Sequence, residues 1–315
     1  MRETFLLAAL LVTGGPVCYG QSDAAQREWD RAAKLDSSGK HTQVMKILDG
    51  LVENPAWAYR AHMMRAHQYF EHLERYQDAF SEIGLAMSLE PDSIDPYINR
   101  SSFYLESGMP DRALEDLDQA LKHAREAQDS LTVFLNKGSA LTMVRRFKEA
   151  LFAYDHALAI DSMDWGTRSN KAAILDEMDR ADEAKAIYLK LHEEKPDEIV
   201  ILNNLGFQAS GRNDHAEALR WFSEAQRLAP DDPVVLNNLG YAQLRTGALN
   251  DAQRNVERSI KLYPANSYAH RNLGLIWKEK KEMDKACSSF ERALQLGFTA
   301  QYGPEVEQWR KEYCR

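Results

Sequence analysis

The sequence predicts an all-α fold, an α-solenoid of helix-turn-helix repeats, and three observations lead to this prediction. A pattern with a period near 34 residues runs from residue 60 to residue 300. Each period contains two segments with the 3.6-residue apolar spacing of an amphipathic helix, separated by a short polar turn. The chain of 315 residues has only 16 Gly and 10 Pro, which leaves little room for a loop-rich fold.

Seven repeats follow one another in this pattern, and small residues recur at two places in them. The repeats are 60–93, 94–130, 131–164, 165–198, 199–232, 233–266 and 267–300. Position 20 is alanine in all seven: Ala79, Ala113, Ala150, Ala184, Ala218, Ala252 and Ala286. Position 8 is small in six: Ser101, Gly138, Ala172, Gly206, Gly240 and Gly274. A larger side chain at these places would push the two helices of a repeat apart where they cross.

A proline near the end of the repeat completes the pattern, since proline stops the second helix before the next repeat begins. It occurs in four repeats, as Pro91, Pro196, Pro230 and Pro264. With the small residues, these prolines resemble the tetratricopeptide repeat family over roughly 240 residues. The resemblance implies a right-handed superhelix whose first helices line a concave groove, and it implies a protein that binds other proteins.

The remaining segments complete the predicted organisation. Residues 21–59 have the apolar spacing of a degenerate N-terminal repeat, with Gly39 at its turn, and residues 301–315 predict a C-terminal capping helix that starts near Pro304. The repeat at 94–130 is three residues longer than the others, with the excess in 122–130. We expect a longer second helix or a looser turn there.

Residues 1–20 predict an export signal. The apolar run from Phe5 to Val12 is too short to span a bilayer as a helix, and small residues follow it up to a cleavage point after Gly20. A lipoprotein anchored through Cys18 is the alternative, but Val17 is bulky where such signals have a small residue. A buried N-terminal helix is the other alternative. We expect a periplasmic or secreted protein with no membrane span elsewhere in the chain.

Two cysteines remain if the export signal is removed. Cys287 lies on the second helix of the last repeat, and Cys314 lies near the end of the predicted capping helix. An even cysteine count in an exported chain indicates a disulfide, which would hold the cap on the last repeat. Two separate thiols are the alternative.

Six asparagines stand in register, one in each of six consecutive repeats. They are Asn99, Asn136, Asn170, Asn204, Asn238 and Asn272, and we call them the asparagine ladder. A carboxamide both donates and accepts hydrogen bonds, as a peptide backbone does. The ladder is similar to the one in the superhelix of O-linked N-acetylglucosamine transferase, and this resemblance implies that the amides hold an extended peptide. Bonding within or between repeats is the alternative. We expect no catalytic domain after the repeats.

The side of the first helices that carries the ladder is predicted to line the groove. In the C-terminal half, amides and aromatic rings alternate on this side, and rings give apolar contact area at a low entropy cost. The candidate contact residues there are Asn203, Asn204, Phe207, Asn237, Asn238, Tyr241, Tyr268, Arg271 and Asn272. We expect the closest contacts from the three ladder residues of this half, with Phe207 and Tyr241.

A carboxylate clamp, a second binding mode of the family, is not expected. It requires asparagine at position 9 of the repeat and a basic residue at position 5. Position 9 is never asparagine here, and position 5 is basic only at Arg271.

Other chemistry is not indicated. The net charge of −9 without a basic run argues against nucleic acid as a partner. The sequence has no glycine-rich phosphate loop and no nucleophile elbow. His62, His67 and His72 are five residues apart, so each step turns about 140° on an α-helix and the rings face different ways. We therefore expect no metal, no cofactor and no enzyme activity.

The sequence predicts a non-enzymatic scaffold that binds an extended segment of another protein. The alternatives are an accessory subunit of an envelope enzyme or transport complex and a glycan-binding module. The oligomeric state is left open.

Overall fold

The computed structural model describes residues 22–298 and 303–314, and all regular structure in these two ranges is helical. The predicted export signal lies outside them. The chain divides into two compact units, with the boundary between Thr167 and Arg168.

The N-terminal unit consists of helices paired in chain order. They are α1 (Ser22–Asp36), α2 (His41–Leu51), α3 (Ala58–His67), a π-helical turn (Gln68–His72), α4 (Tyr76–Leu89), α5 (Asp95–Glu106), α6 (Pro110–His123), α7 (Ala127–Met143) and α8 (Phe147–Ile160). Each odd-numbered helix packs against the even-numbered helix that follows it, and each pair contacts the next one in this unit. The segment 21–59 thus supplies the pair α1–α2.

The C-terminal unit continues the same arrangement. Its helices are α9 (Trp165–Glu177), which begins just before the boundary, α10 (Ala181–Glu194), α11 (Ile199–Gly211), α12 (His215–Leu228), α13 (Pro233–Arg245), α14 (Leu249–Leu262), α15 (Ser267–Glu279), α16 (Met283–Gln295) and α17 (Glu305–Tyr313). Besides the pairs α11–α12, α13–α14 and α15–α16, the first helices α11, α13 and α15 contact one another in sequence. These first helices therefore form one continuous layer.

Small residues allow the close crossing within each helix pair. The seven alanines at position 20 have no exposed surface. A Cβ atom on Gly206 would lie 2.4 Å from the Phe222 ring, and one on Gly240 would lie 2.5 Å from Val256. The second helix thus rests its side chains directly on the backbone of the first.

In the turn after each first helix, one residue has a left-handed backbone. It is glycine at Gly39, Gly108 and Gly247, but it is Glu74, Arg145, Asp179, Asn213 and Lys281 elsewhere. A left-handed residue after a helix lets backbone N–H groups bond the last free carbonyls and reverses the chain. The turn is thus the same in repeats of quite different composition.

The extra residues of the 94–130 repeat lengthen α7, the first helix of the next repeat. Helix α6 has 14 residues, as α4 and α8 do, whereas α7 has 17. Asp129 accepts hydrogen bonds from the backbone N–H groups of Arg125 (2.9 Å) and Glu126 (3.1 Å). This capping box starts α7 early. The prediction of a longer second helix or a looser turn is therefore wrong.

Helix α17 covers the last repeat. Val306 is buried in a cluster with Phe290 and Phe298. The Cα atoms of Cys287 and Cys314 are 5.6 Å apart, which is a separation that a disulfide can span. The cap is thus attached through an apolar core and a cysteine pair.

Candidate functional site

The asparagine ladder divides into three kinds of residue, and the first kind bonds within its own helix. In the N-terminal unit, Asn99 donates to the carbonyl oxygen of Asp95 at 2.8 Å, and Asn136 donates to that of Thr132 at 2.9 Å. Both side chains are half-buried. Each amide reaches back four residues and makes no contact with a neighbouring repeat through this bond.

In the C-terminal unit, three ladder amides donate to the preceding first helix instead. The acceptors lie 35 residues earlier in the chain in every case. The bonds are Asn204 to Ser169 Oγ (3.2 Å), Asn238 to Asn203 Oδ1 (3.4 Å) and Asn272 to Asn237 Oδ1 (2.9 Å). These amides therefore join consecutive repeats.

The bonds form a network that extends to the C-terminal cap. Asn237 donates to Asn238, and Arg271 donates to Asn272 Oδ1 at 2.8 Å and to Glu305 on α17 at 3.0 Å. We call the set Asn203, Asn237, Asn238, Arg271, Asn272 and Glu305 the amide network. Asn238 is 5% exposed and Asn272 is 3% exposed. Because a buried amide without a partner is costly, these bonds fix the register of α11, α13 and α15.

The two units differ because of the acceptor, which is the residue one place before the ladder position in the preceding repeat. In the C-terminal unit that residue is Ser169, Asn203 or Asn237, and its side chain accepts a bond from the next repeat. In the N-terminal unit it is Met64 or Ile98, which have no oxygen to offer. Asn99 and Asn136 then turn to their own helices, while Asn170 is exposed.

Arg271 and Tyr268, both predicted as groove contacts, are used within the chain. The Arg271 guanidinium lies between the Tyr241 ring at 5.2 Å and the Trp309 ring at 5.4 Å. Tyr268 packs edge-on against Phe298 at 5.3 Å. These contacts hold the capping helix, so Arg271 has little side chain free for a ligand.

Among the candidate contact residues on α11, α13 and α15, the open part lies on α11. Val200 is 49% exposed and Phe207 is 53% exposed, and their spacing of seven residues puts both on one side of the helix. Asn203 and Asn204 are half-buried between them. We call these four residues the α11 face. Phe207 packs edge-on against Phe222, which holds its ring in place.

Each amide of the α11 face uses one of its two polar atoms in a hydrogen bond to another described residue and leaves the other atom available. Asn203 uses Oδ1 to accept from Asn238, and Asn204 uses Nδ2 to donate to Ser169. Within residues 22–298 and 303–314, Nδ2 of Asn203 and Oδ1 of Asn204 make no hydrogen bond. A donor and an acceptor on adjacent residues are complementary to the C=O and N–H of a peptide unit.

Two residues with structural roles near this face were not predicted. Gln208 is buried and donates to Asp176 Oδ1 (3.2 Å) and to the Ala181 carbonyl (2.8 Å), which links α11 to α9 and α10. Tyr188 donates to the Ser169 carbonyl, and burial raises the pKa of its hydroxyl. A buried glutamine has no periodic signature of its own. Val200, at position 2 of its repeat, could have been found from the groove-facing spacing.

The histidines of the first repeats are arranged differently from the prediction. The π-helical turn has i to i+5 spacing, so His67 and His72 come together with ring centroids 5.7 Å apart. His72 also stacks on His41 at 3.8 Å, whereas His62 bonds Glu82 at 2.6 Å. The prediction that the three rings face different ways is wrong for this pair, because it assumed an unbroken α-helix.

We predict that a buried and an exposed ladder residue differ in their contribution to stability. Asn272→Ala leaves the buried Asn237 Oδ1 without its donor and removes one acceptor of Arg271, so it should lower the free energy of unfolding by about 1–3 kcal/mol. Asn170→Ala, at an exposed place in the same register, should change it by no more than about 0.5 kcal/mol. Urea denaturation followed by circular dichroism measures both. Equal effects would contradict the division of the ladder.

Residues 237–300 match the family model of the tetratricopeptide repeat. The sequence matches no curated protein at a significant level. No helix among the described residues is long and apolar enough to cross a bilayer.

Solved structures of repeat proteins share the fold. A tetratricopeptide repeat protein from Parabacteroides merdae is similar with a TM-score of 0.66 and 16% identity, over 82% of this chain and 99% of that one. Yeast Tom70 is similar with a TM-score of 0.66 and 16% identity, over 95% of this chain and 66% of that one. The structure of the APC/C hetero-tetramer Cut9–Hcn1 is similar with a TM-score of 0.64 and 13% identity, over 94% of this chain and 57% of that one.

These similarities confirm the predicted all-α solenoid class. The C-terminal repeats at 237–300 thus match the tetratricopeptide repeat model, and the chain as a whole has the fold of tetratricopeptide repeat structures.

Proposed function

We propose that this protein is a non-enzymatic scaffold that binds an extended segment of another protein on the α11 face. The observation that carries this proposal is the free amide donor and acceptor between two exposed apolar side chains. Polar and apolar groups of this kind are what a site for a peptide backbone and its side chains combines.

The dimensions of the α11 face support an extended ligand. Val200 and Phe207 are seven residues apart, which is about 10 Å along the helix axis. An extended chain covers that distance in about three residues. One peptide unit bonded to Asn203 and Asn204 would therefore have a side chain on either side within reach of an apolar contact.

The amide network has a supporting role in this proposal. Asn238 and Asn272 are too buried to hold a ligand as the predicted ladder would, but they fix the helices next to α11. Asn203 belongs to both sets, since its oxygen accepts from Asn238 while its amino group is free. A rigid support reduces the entropy lost when a ligand binds.

We predict that Phe207→Ser weakens binding without unfolding the protein. A peptide is first selected from a random phage-displayed library on the wild-type chain, and its affinity is then measured by fluorescence anisotropy. Losing the apolar contact of one phenyl ring should raise the Kd at least about tenfold. The matched control is Phe152→Ser on α8, where the ring is 65% exposed and outside the α11 face.

Two results would contradict this proposal. Phe207→Ser could bind as the wild type does, or Phe152→Ser could weaken binding equally. Oligosaccharides replace the peptide in a parallel arm of the experiment. If they bind in a Phe207-dependent manner and no peptide is selected, the face is a glycan-binding site. A partner from envelope extract that is retained equally by wild type and Phe207→Ser indicates an accessory subunit with contacts elsewhere.

We also propose that the protein is exported and that Cys287 and Cys314 form a disulfide in it. The apolar run near the N-terminus and the proximity of the two cysteines support this proposal. The bond would close a loop with a sequence separation of 27 residues. In the chain-entropy model a loop of this size stabilises a protein by about 3.5 kcal/mol.

We predict that Cys287→Ser/Cys314→Ser lowers the free energy of unfolding and removes its dependence on reductant. The wild type should lose a similar amount of stability in dithiothreitol, whereas the double variant should not respond. Mass spectrometry of the protein from its native host should find Gln21 as the first residue. Alkylation of both thiols in unreduced protein would exclude the disulfide, and an intact N-terminus would exclude cleavage.

A further inference from the structure

Three side chains that ligate metals converge between the first two helix pairs of the N-terminal unit. Asp36 ends α1, His41 begins α2 and His72 ends the π-helical turn. One donor atom from each lies within 4.8 Å of the other two. Asp36 and His41 are partly buried, and His72 is exposed, so the cluster is open to solvent on one side.

The distances in the cluster suit a small divalent cation. His41 Nδ1 is 3.4 Å from Asp36 Oδ1. Two ligands on a tetrahedral zinc ion with bonds of about 2.0–2.1 Å are about 3.3 Å apart. The exposed His72 ring stacks on His41 with centroids 3.8 Å apart, so His72 would change its side-chain rotamer to direct a nitrogen at the same point.

A buried glutamine holds two of these side chains in place. Gln68 has no exposed surface, accepts from His41 Nδ1 at 2.9 Å and donates to Asp36 Oδ1 at 2.7 Å. A cation between Asp36 and His41 would replace the proton that now lies on Nδ1, and the His41 proton would move to Nε2. The metal would thus replace the bond from His41 to Gln68, whereas the bond from Gln68 to Asp36 would remain and orient that ligand.

The C-terminal unit contains the same glutamine bridge without histidines. Gln208 donates to Asp176, with the same sequence separation of 32 residues as Gln68 and Asp36. The places of His41 and His72 are taken there by Ala181 and Arg212. The bridge between repeats therefore forms without either histidine, because Arg212 donates to Gln208 Oε1 at 3.2 Å as His41 donates to Gln68 Oε1.

We propose that Asp36, His41 and His72 form a binding site for a divalent transition-metal ion of the zinc type. Two imidazoles and a carboxylate are a ligand set that zinc prefers, with water in the fourth position. Binding would join α1, α2 and the π-helical turn.

The test uses the untagged full chain after treatment with EDTA and dialysis. Isothermal titration with zinc chloride should show one equivalent bound, and cobalt chloride should give visible d–d absorption bands. His41→Ala/His72→Arg introduces the residues of the C-terminal bridge, so the fold should be kept and the Kd for zinc should rise at least about 100-fold. Asp36→Asn, which keeps an acceptor for Gln68, should weaken binding in the same direction.

His123→Ala is the matched control. This histidine lies beside Tyr97 and Asp92, away from the cluster, so the variant should bind zinc as the wild type does. Absence of zinc binding to the wild type would overturn the proposal. Binding that survives both the double variant and Asp36→Asn would overturn it as well, since the metal would then lie elsewhere.

Discussion

The amide network is the interaction on which the surface of the C-terminal unit depends. Buried carboxamides lose their bonds to water on folding, and they are tolerated only where each finds a partner. Asn272, Asn237 and Asn238 satisfy one another between α13 and α15, and Asn203 extends the set to α11. The network therefore admits one register of neighbouring repeats, and among the candidate contact residues on α11, α13 and α15 it leaves the α11 face accessible.

Most of the fold could be predicted because it follows from steric exclusion. Only a small residue fits where the two helices of a repeat cross, as the 2.4 Å approach of Phe222 to a Cβ atom on Gly206 demonstrates. The turn residues could not be predicted in this way. A left-handed backbone is imposed on Arg145 and Lys281 by the helix pairs around them, although neither residue type favours it.

The function of each ladder residue could not be predicted from the ladder itself. Asn99, Asn170 and Asn272 occupy the same repeat position, yet one bonds its own helix, one is exposed and one is buried between repeats. The difference arises from the neighbouring residue of the preceding repeat, and it becomes visible only when the stacking is known. Likewise, the π-helical turn brings residues five apart onto one side of the helix, and the periodicity of the sequence does not reveal this local change.

The most direct test of the central claim is a double-mutant cycle on Asn237→Ala and Asn272→Ala, measured as free energies of unfolding. Their side chains share one hydrogen bond of 2.9 Å. Residues joined in a buried network have coupling energies of about 0.5–3 kcal/mol, and we expect a value in that range with the double variant less destabilised than the sum of the single variants. Additive effects would contradict the account, because the two amides would then contribute independently and the network would not fix the repeats.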